Sequence, residues 1–279
     1  MDILKIQNMK GLLLVSLFAI TFVSILSISV QYLSAQNSSN LLGTDSFVNI
    51  TSFGNNQDAK NIYEDKSFTV DKNVSNFVVL IPNEGHESTN QDKNQYPFLN
   101  QSYIPQNLTT NKGTSVAWLN ADVDHNHIIK FQPGNPQNLV ESNQFAFPEY
   151  TTIVFDQLGP YPYYEDNVNE DDESFVMEGT INVVDTNSES MSNANTSSIQ
   201  NGKGTMGVLM VPSQEIENIK TELKNSGITV LSDYSFTDLR GGQDGTGPTQ
   251  SIVIWGSKSN NLEQTMAPIV DITERLPYS

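Results

Sequence analysis

Cysteine is absent from the 279 residues of this chain. That excludes disulfide staples, a thiolate zinc site and a cysteine nucleophile. Basic residues are scarce: 14 Lys and Arg stand against 32 Asp and Glu, giving a formal net charge of -18. A surface of that sign repels a phosphate backbone, so nucleic acid is not an expected partner. Histidine occurs only at His86, His125 and His127. There is no Gly-X-Ser-X-Gly elbow, no His-Glu-X-X-His helix and no glycine-rich phosphate loop following a strand, so the chain reads as a non-enzyme. Gly241 to Gly247 is rich in glycine but reads as a loop between strands.

Only one long hydrophobic run is present. Lys5 and Lys10 precede Gly11 to Leu33, which carries no charge. A positive start followed by an apolar run is an export signal or an anchor. Roughly 20 apolar residues span a bilayer as a helix, so this run is long enough. Ser34-Ala35-Gln36 offers a poor cleavage site, because Leu33 stands three residues before the cut. Residues 1–35 are therefore expected as a retained transmembrane anchor, with a cleaved signal and a secreted protein as the alternative. In either case the lysines hold the N-terminus inside and place the remainder outside the cytoplasm, at the cell membrane. Asn37, Asn49, Asn73, Asn100, Asn107 and Asn195 each head an Asn-X-Ser/Thr triplet, which permits glycosylation without implying it.

Composition then divides the rest. Residues 36–66 are polar and read as a linker. Residues 67–185 hold short apolar runs separated by Gly, Pro and Asn turns: Asn76 to Pro82, the stretch around Trp118, Ile128 to Phe131, Phe145 to Phe147, Thr151 to Phe155, Tyr161 to Tyr164 and Thr180 to Val184. Such spacing predicts a β-sandwich. Residues 186–203 are almost entirely Ser, Asn, Thr and Gln and read as a second linker. Residues 204–279 predict a small α+β domain in β-α-β-β-α order. Ser213 is its expected first N-cap, and Asn225-Ser226-Gly227 its expected helix stop.

Two segments carry possible chemistry. Gly113 to Ile129 contains Trp118, Asn120 and Asp122 and ends in His125 and His127. Residues two apart on an extended chain share a face, so both histidines could hold one ion if that stretch is a strand. If it is a loop, one ligates and the other is solvated. The second segment is Gly159-Pro160-Tyr161-Pro162-Tyr163-Tyr164-Glu165, running on to Met177-Glu178-Gly179-Thr180-Ile181-Asn182-Val183. Together they resemble the two ligand-bearing ends of a cupredoxin, the small copper-binding sandwich, over roughly Asn76 to Asp185. The resemblance implies a Greek-key β-sandwich with His127 at the family's first histidine. It places Glu165 at the position of the cysteine, and Met177, two residues before Gly179, at the position of the methionine. No histidine follows Glu165.

The resemblance implies a thiolate-free copper site, with zinc as the other metal. His127, His125, His86, Glu165 and Met177 are its candidate ligands. His86 follows a predicted strand and could reach the same rim. A carboxylate hardens such a site, whereas a thioether favours Cu(I). The implied roles are copper handling or electron transfer. The rival expectation is a metal-free extracellular sandwich used for structure or interaction. Glu165, Asp166, Glu170, Asp171, Asp172 and Glu173 raise a third possibility, a calcium-stabilised surface protein, but they lack the EF-hand pattern.

Overall fold

The computed structural model describes residues 57–83, 99, 101–167, 175–185, 204–237 and 249–276. The expected anchor, the second linker, His86, Glu170 to Glu173 and the 241–247 loop lie outside these residues. All the described residues belong to one compact unit. Among them no helix is long and apolar enough to cross a membrane.

The protein is mainly β, built from two mixed sheets and three α-helices among the described residues. In chain order the elements are α1 (Gln57–Asp65), β1 (Ser67–Thr69), β2 (Val74–Ile81), β3 (Asn107–Asn111) and β4 (Thr114–Asn120). They continue as β5 (Lys130–Phe131), β6 (Tyr150–Phe155), β7 (Gly159–Asn167) and β8 (Phe175–Val184). The rest are β9 (Gly204–Pro212), α2 (Ile216–Asn225), β10 (Ile228–Thr237), β11 (Thr249–Ser257) and α3 (Leu262–Arg275). The five-stranded sheet has the order β1-β3-β8-β7-β5, and the six-stranded sheet has the order β10-β11-β9-β2-β4-β6.

Aromatic rings join the sheets across the core. Trp118 on β4 meets Tyr163 on β7 at 5.4 Å between centroids, Phe155 on β6 meets Tyr161 at 4.7 Å, and Phe68 on β1 meets Phe77 on β2 at 5.4 Å. Alternation is clear in β7: Tyr161, Tyr163 and Glu165 are buried while Pro162 and Tyr164 between them are half-buried. A turn at Asn111-Lys112-Gly113 joins β3 to β4, and Gly113 takes φ +84°, where glycine is the unstrained choice.

Gly179 on β8 stands opposite Tyr163. A Cβ there would collide with the hydroxyl end of the tyrosine ring, with Cε1 at 2.8 Å. The glycine is thus the space in which a buried aromatic ring sits. Gly179→Ala is expected to destabilise the fold by about 1–3 kcal/mol, the usual cost of overpacking. Thermal melting read by circular dichroism checks this, and an unchanged midpoint would refute it.

Four expectations need correction. Part of the stretch read as a linker is helical: α1 places Ala59 and Ile62, three residues apart, in the core, and Tyr63 packs beside them on Phe236 at 4.7 Å. Phe145 to Phe147 is not a strand; Phe145 makes one isolated bridge, to His127. Ser213 does not cap α2 with its side chain, because its hydroxyl pairs with that of Ser251 at 2.7 Å. Lastly, residues 204–276 build no sheet of their own. The β-α-β-β-α order is present, but β9 pairs in parallel with β2 and extends the sandwich's own sheet. The helix stop at Gly227 is as expected, with φ +76°.

The helices explain why β9 and β11 are buried along nearly their whole length. Ser232, Tyr234 and Phe236 of β10 face α1, whereas Asp233 faces α2 and pairs with Lys220 at 3.2 Å. Strand β11, which pairs with β10, is therefore covered on both faces, and a strand buried on both faces loses its polar alternation.

Candidate functional site

The site lies where β4 gives way to a loop. Asn120, the last residue of β4, is fully buried and shapes that loop. Its side-chain oxygen accepts from the Asp122 amide at 2.7 Å, and its Nδ2 donates to the His125 carbonyl at 2.9 Å. The Val123 amide donates to Asn83 Oδ1 at 3.2 Å. These bonds turn the chain, so His125 and His127 sit on a loop and not on a strand.

Both histidines nevertheless face one carboxylate. Asp122 Oδ2 is 3.2 Å from His125 Nδ1 and 3.5 Å from His127 Nε2. The second distance is that of an ion pair and lies beyond a good hydrogen bond. His127 is wholly buried, and its Nδ1 is 2.6 Å from Glu165 Oε2. Glu165 is in turn fixed by the Ile128 amide, which donates to its Oε1 at 3.1 Å. Imidazole thus lies between two carboxylates, one from the β4 loop and one from β7.

Glu165 does not sit on a ligand loop. Strand β7 runs two residues past it, and Glu165 stands directly opposite Met177 in the β7–β8 ladder. Opposed residues share a sheet face, so Met177, fully buried, belongs to the same end of the core. Four of the five candidate ligands, His127, His125, Glu165 and Met177, therefore gather around one end of the sandwich. His86 lies outside the described residues. Asp166 points elsewhere, to an ion pair with Lys130.

Burial by itself pulls the His127 imidazole pKa down. The carboxylates of Asp122 and Glu165 outweigh it and raise the value from 6.5 to about 9. At neutral pH this ring is an imidazolium. Because the folded value exceeds the unfolded one, the associated stability is fully present below about pH 6.5. It is lost as pH rises through about 9. At 1.36 kcal/mol per unit the contribution is about 3 kcal/mol. Between pH 7 and 9.5 the melting midpoint is expected to fall, and to fall less in a His127→Gln variant. Equal slopes in the two proteins would contradict the assignment.

Sequence reasoning missed the role of Asp122 as a charge partner of both histidines and that of Asn120 as organiser of the loop. The Trp118-X-Asn120-X-Asp122 spacing was the available signal. Tyr103 was missed as well. It is fully buried, its hydroxyl lacks a hydrogen-bond partner, and burial together with the charge of Glu165 raises its pKa well above normal.

The metal that the resemblance implies is copper. A blue copper centre needs a thiolate, and none is available. Two ligands of one tetrahedral ion, each at 2.0–2.2 Å, stand roughly 3.3 Å apart. His127 Nδ1 and Glu165 Oε2 are closer than that, at the separation of a short charge-assisted hydrogen bond. Among the described residues no three His, Asp or Glu side chains are arranged to hold a metal ion. As placed, these side chains do not fit copper.

No family model matches the chain, and no curated protein matches it. Solved structures similar to it include a purple cupredoxin from Nitrosopumilus maritimus, at 22% identity. That match covers 38% of this chain and 98% of the other, with a TM-score of 0.27. A copper-containing nitrite reductase from Thermus scotoductus is 16% identical over 44% of this chain and 29% of its own, with a TM-score of 0.31. An amicyanin from Paracoccus versutus is 18% identical over 41% of this chain and 85% of its own, with a TM-score of 0.26.

Proposed function

We propose that this chain is an exported, membrane-anchored, non-catalytic module of cupredoxin-like design. In it a proton shared by His127 and Glu165 takes the place of the metal ion. Its work lies outside the cytoplasm and is structural or interactive. The export part is supported by Lys5 and Lys10 ahead of the uncharged run from Gly11 to Leu33.

The observation that carries the reading is the 2.6 Å contact between His127 Nδ1 and Glu165 Oε2. It satisfies the carboxylate that stands where the resemblance puts the family's cysteine. The imidazolium meanwhile neutralises charge that burial would otherwise make costly. The site is thereby closed without a metal.

A second reading is favoured by a different observation, the gathering of His127, His125, Glu165 and Met177 at one end of the core. Under it the end is a thiolate-free copper or zinc site for copper handling or electron transfer. Binding would require His127 to release its proton and the pair to part. Calorimetric titration of the purified chain with Cu(II) and Zn(II) at neutral pH separates the two. The proton-held site takes up neither ion stoichiometrically. Uptake of one equivalent that releases a proton and vanishes in His127→Ala would transfer the assignment to the second reading.

A further inference from the structure

We infer that Asn107 carries an N-linked glycan, and that the sugar lies on the outward face of the five-stranded sheet. The inference rests on the export proposed above. Asn107-Leu108-Thr109 is an acceptor triplet that opens β3. The Asn107 side chain is exposed, Leu108 is buried and Thr109 is half-buried. Asn107 and Thr109, two residues apart on a strand, therefore share the outward face. Asn73, heading the other triplet whose asparagine is described, is half-buried. In that triplet the acceptor hydroxyl is engaged: Ser75 Oγ donates to the Gly204 carbonyl at 3.1 Å.

The surroundings of Asn107 suit a sugar. Strand register sets Ser67, Asn107, Thr180 and Pro162 in one outward row. Thr69, Thr109, Asn182 and Pro160 form the next. All eight are uncharged, in a chain of net charge -18. Hydroxyls and carboxamides there offer hydrogen bonds, and the proline rings offer flat C–H surface. Beside Asn107 runs β1, a three-residue strand at the sheet edge. Bulk at Asn107 would screen that edge from another chain, a hazard that every exposed edge carries.

The covalent step is a glycosyl transfer from a lipid-phosphate-linked oligosaccharide. A bond forms between Asn107 Nδ2 and C1 of the sugar. The bond from C1 to the phosphate oxygen breaks, the lipid phosphate leaves with the electron pair, and one amide proton passes to a base of the transferase. No oxidant or reductant is needed.

The test uses the full chain produced in its native host, with cells fractionated before measurement. Trypsin releases the peptide that begins after Lys93 and ends at Lys112, which holds both Asn100 and Asn107. The expected result is an oligosaccharide mass on that peptide. One such mass should disappear in Asn107→Gln and in Thr109→Ala, persist in Asn100→Gln and persist in Thr109→Ser. Exported protein whose peptide mass is the same with and without Asn107→Gln, after correction for the substitution, overturns the inference and leaves export intact. Protein confined to the cytoplasm and unmodified overturns the export reading and this inference with it.

Discussion

Replacing His127 by alanine should cost the fold about 3–5 kcal/mol, the usual penalty for breaking a buried ion pair by removing one partner. The size reflects the groups left behind. Glu165 would keep its bond from the Ile128 amide but lose the imidazolium that neutralises it. Asp122 would lose the buried one of the two imidazoles that face it. A loss of that size is a large share of the roughly 5–15 kcal/mol that stabilises an ordinary domain. Glu165→Gln should cost less, because the carboxamide oxygen still accepts from Ile128 while its NH2 donates to His127 Nδ1 once the ring sheds that proton, which leaves no imidazolium without a partner. The double variant should be more stable than the sum of the two single losses predicts, since its members share one interaction. Chemical denaturation of the four proteins measures the cycle. Strict additivity would mean that His127 and Glu165 are neighbours without being energetically coupled, and the proton-held site would fall.

Much of this arrangement could be read from the chain, and the rest could not for physical reasons. Local signals are written locally. The turn at Gly113, the stop at Gly227 and the helix after Asn261 each depend on a few adjacent residues. Helix α1 escaped because its two core residues, Ala59 and Ile62, stand in an otherwise polar stretch. Their anchor is remote: Ser232 accepts from the Ala59 amide across 173 positions. The gathering of His127, Glu165 and Met177 was anticipated from a resemblance. The contact that decides their chemistry was not, because nothing in a residue's identity says whether a carboxylate faces a metal or a proton. The ladder past Glu165 was hidden in the same way. Asp166-Asn167 reads as the start of a polar loop, yet it pairs with Val176 and Phe175.

The pairing of β9 with β2 has the second large consequence. A fragment ending at Asp185, the boundary suggested by composition, should fail to fold cooperatively. Its strand β2 would lose a neighbour along the register Val74↔Gly204, Phe77↔Met206 and Val78↔Gly207. Asn76 Nδ2 would lose Thr205 Oγ1 at 3.0 Å and the Asn260 carbonyl at 2.9 Å. Val78, fully buried, lies under Gly207, where a Cβ would come within 2.6 Å of it, so its cover goes as well. Helix α1 would lose Tyr234 and Phe236, the rings that Tyr63 packs on. Each large apolar side chain returned to water costs about 1.5–3 kcal/mol, so a few of them consume the stability of a small domain. The strand left bare, Val-Ser-Asn-Phe-Val-Val-Leu-Ile, is apolar enough to seek another edge, so aggregation should accompany the loss. Near-UV circular dichroism and a melting curve of the fragment, set beside those of the whole chain, decide the matter. A sharp transition near that of the intact protein would show that the sandwich stands without its C-terminal strands.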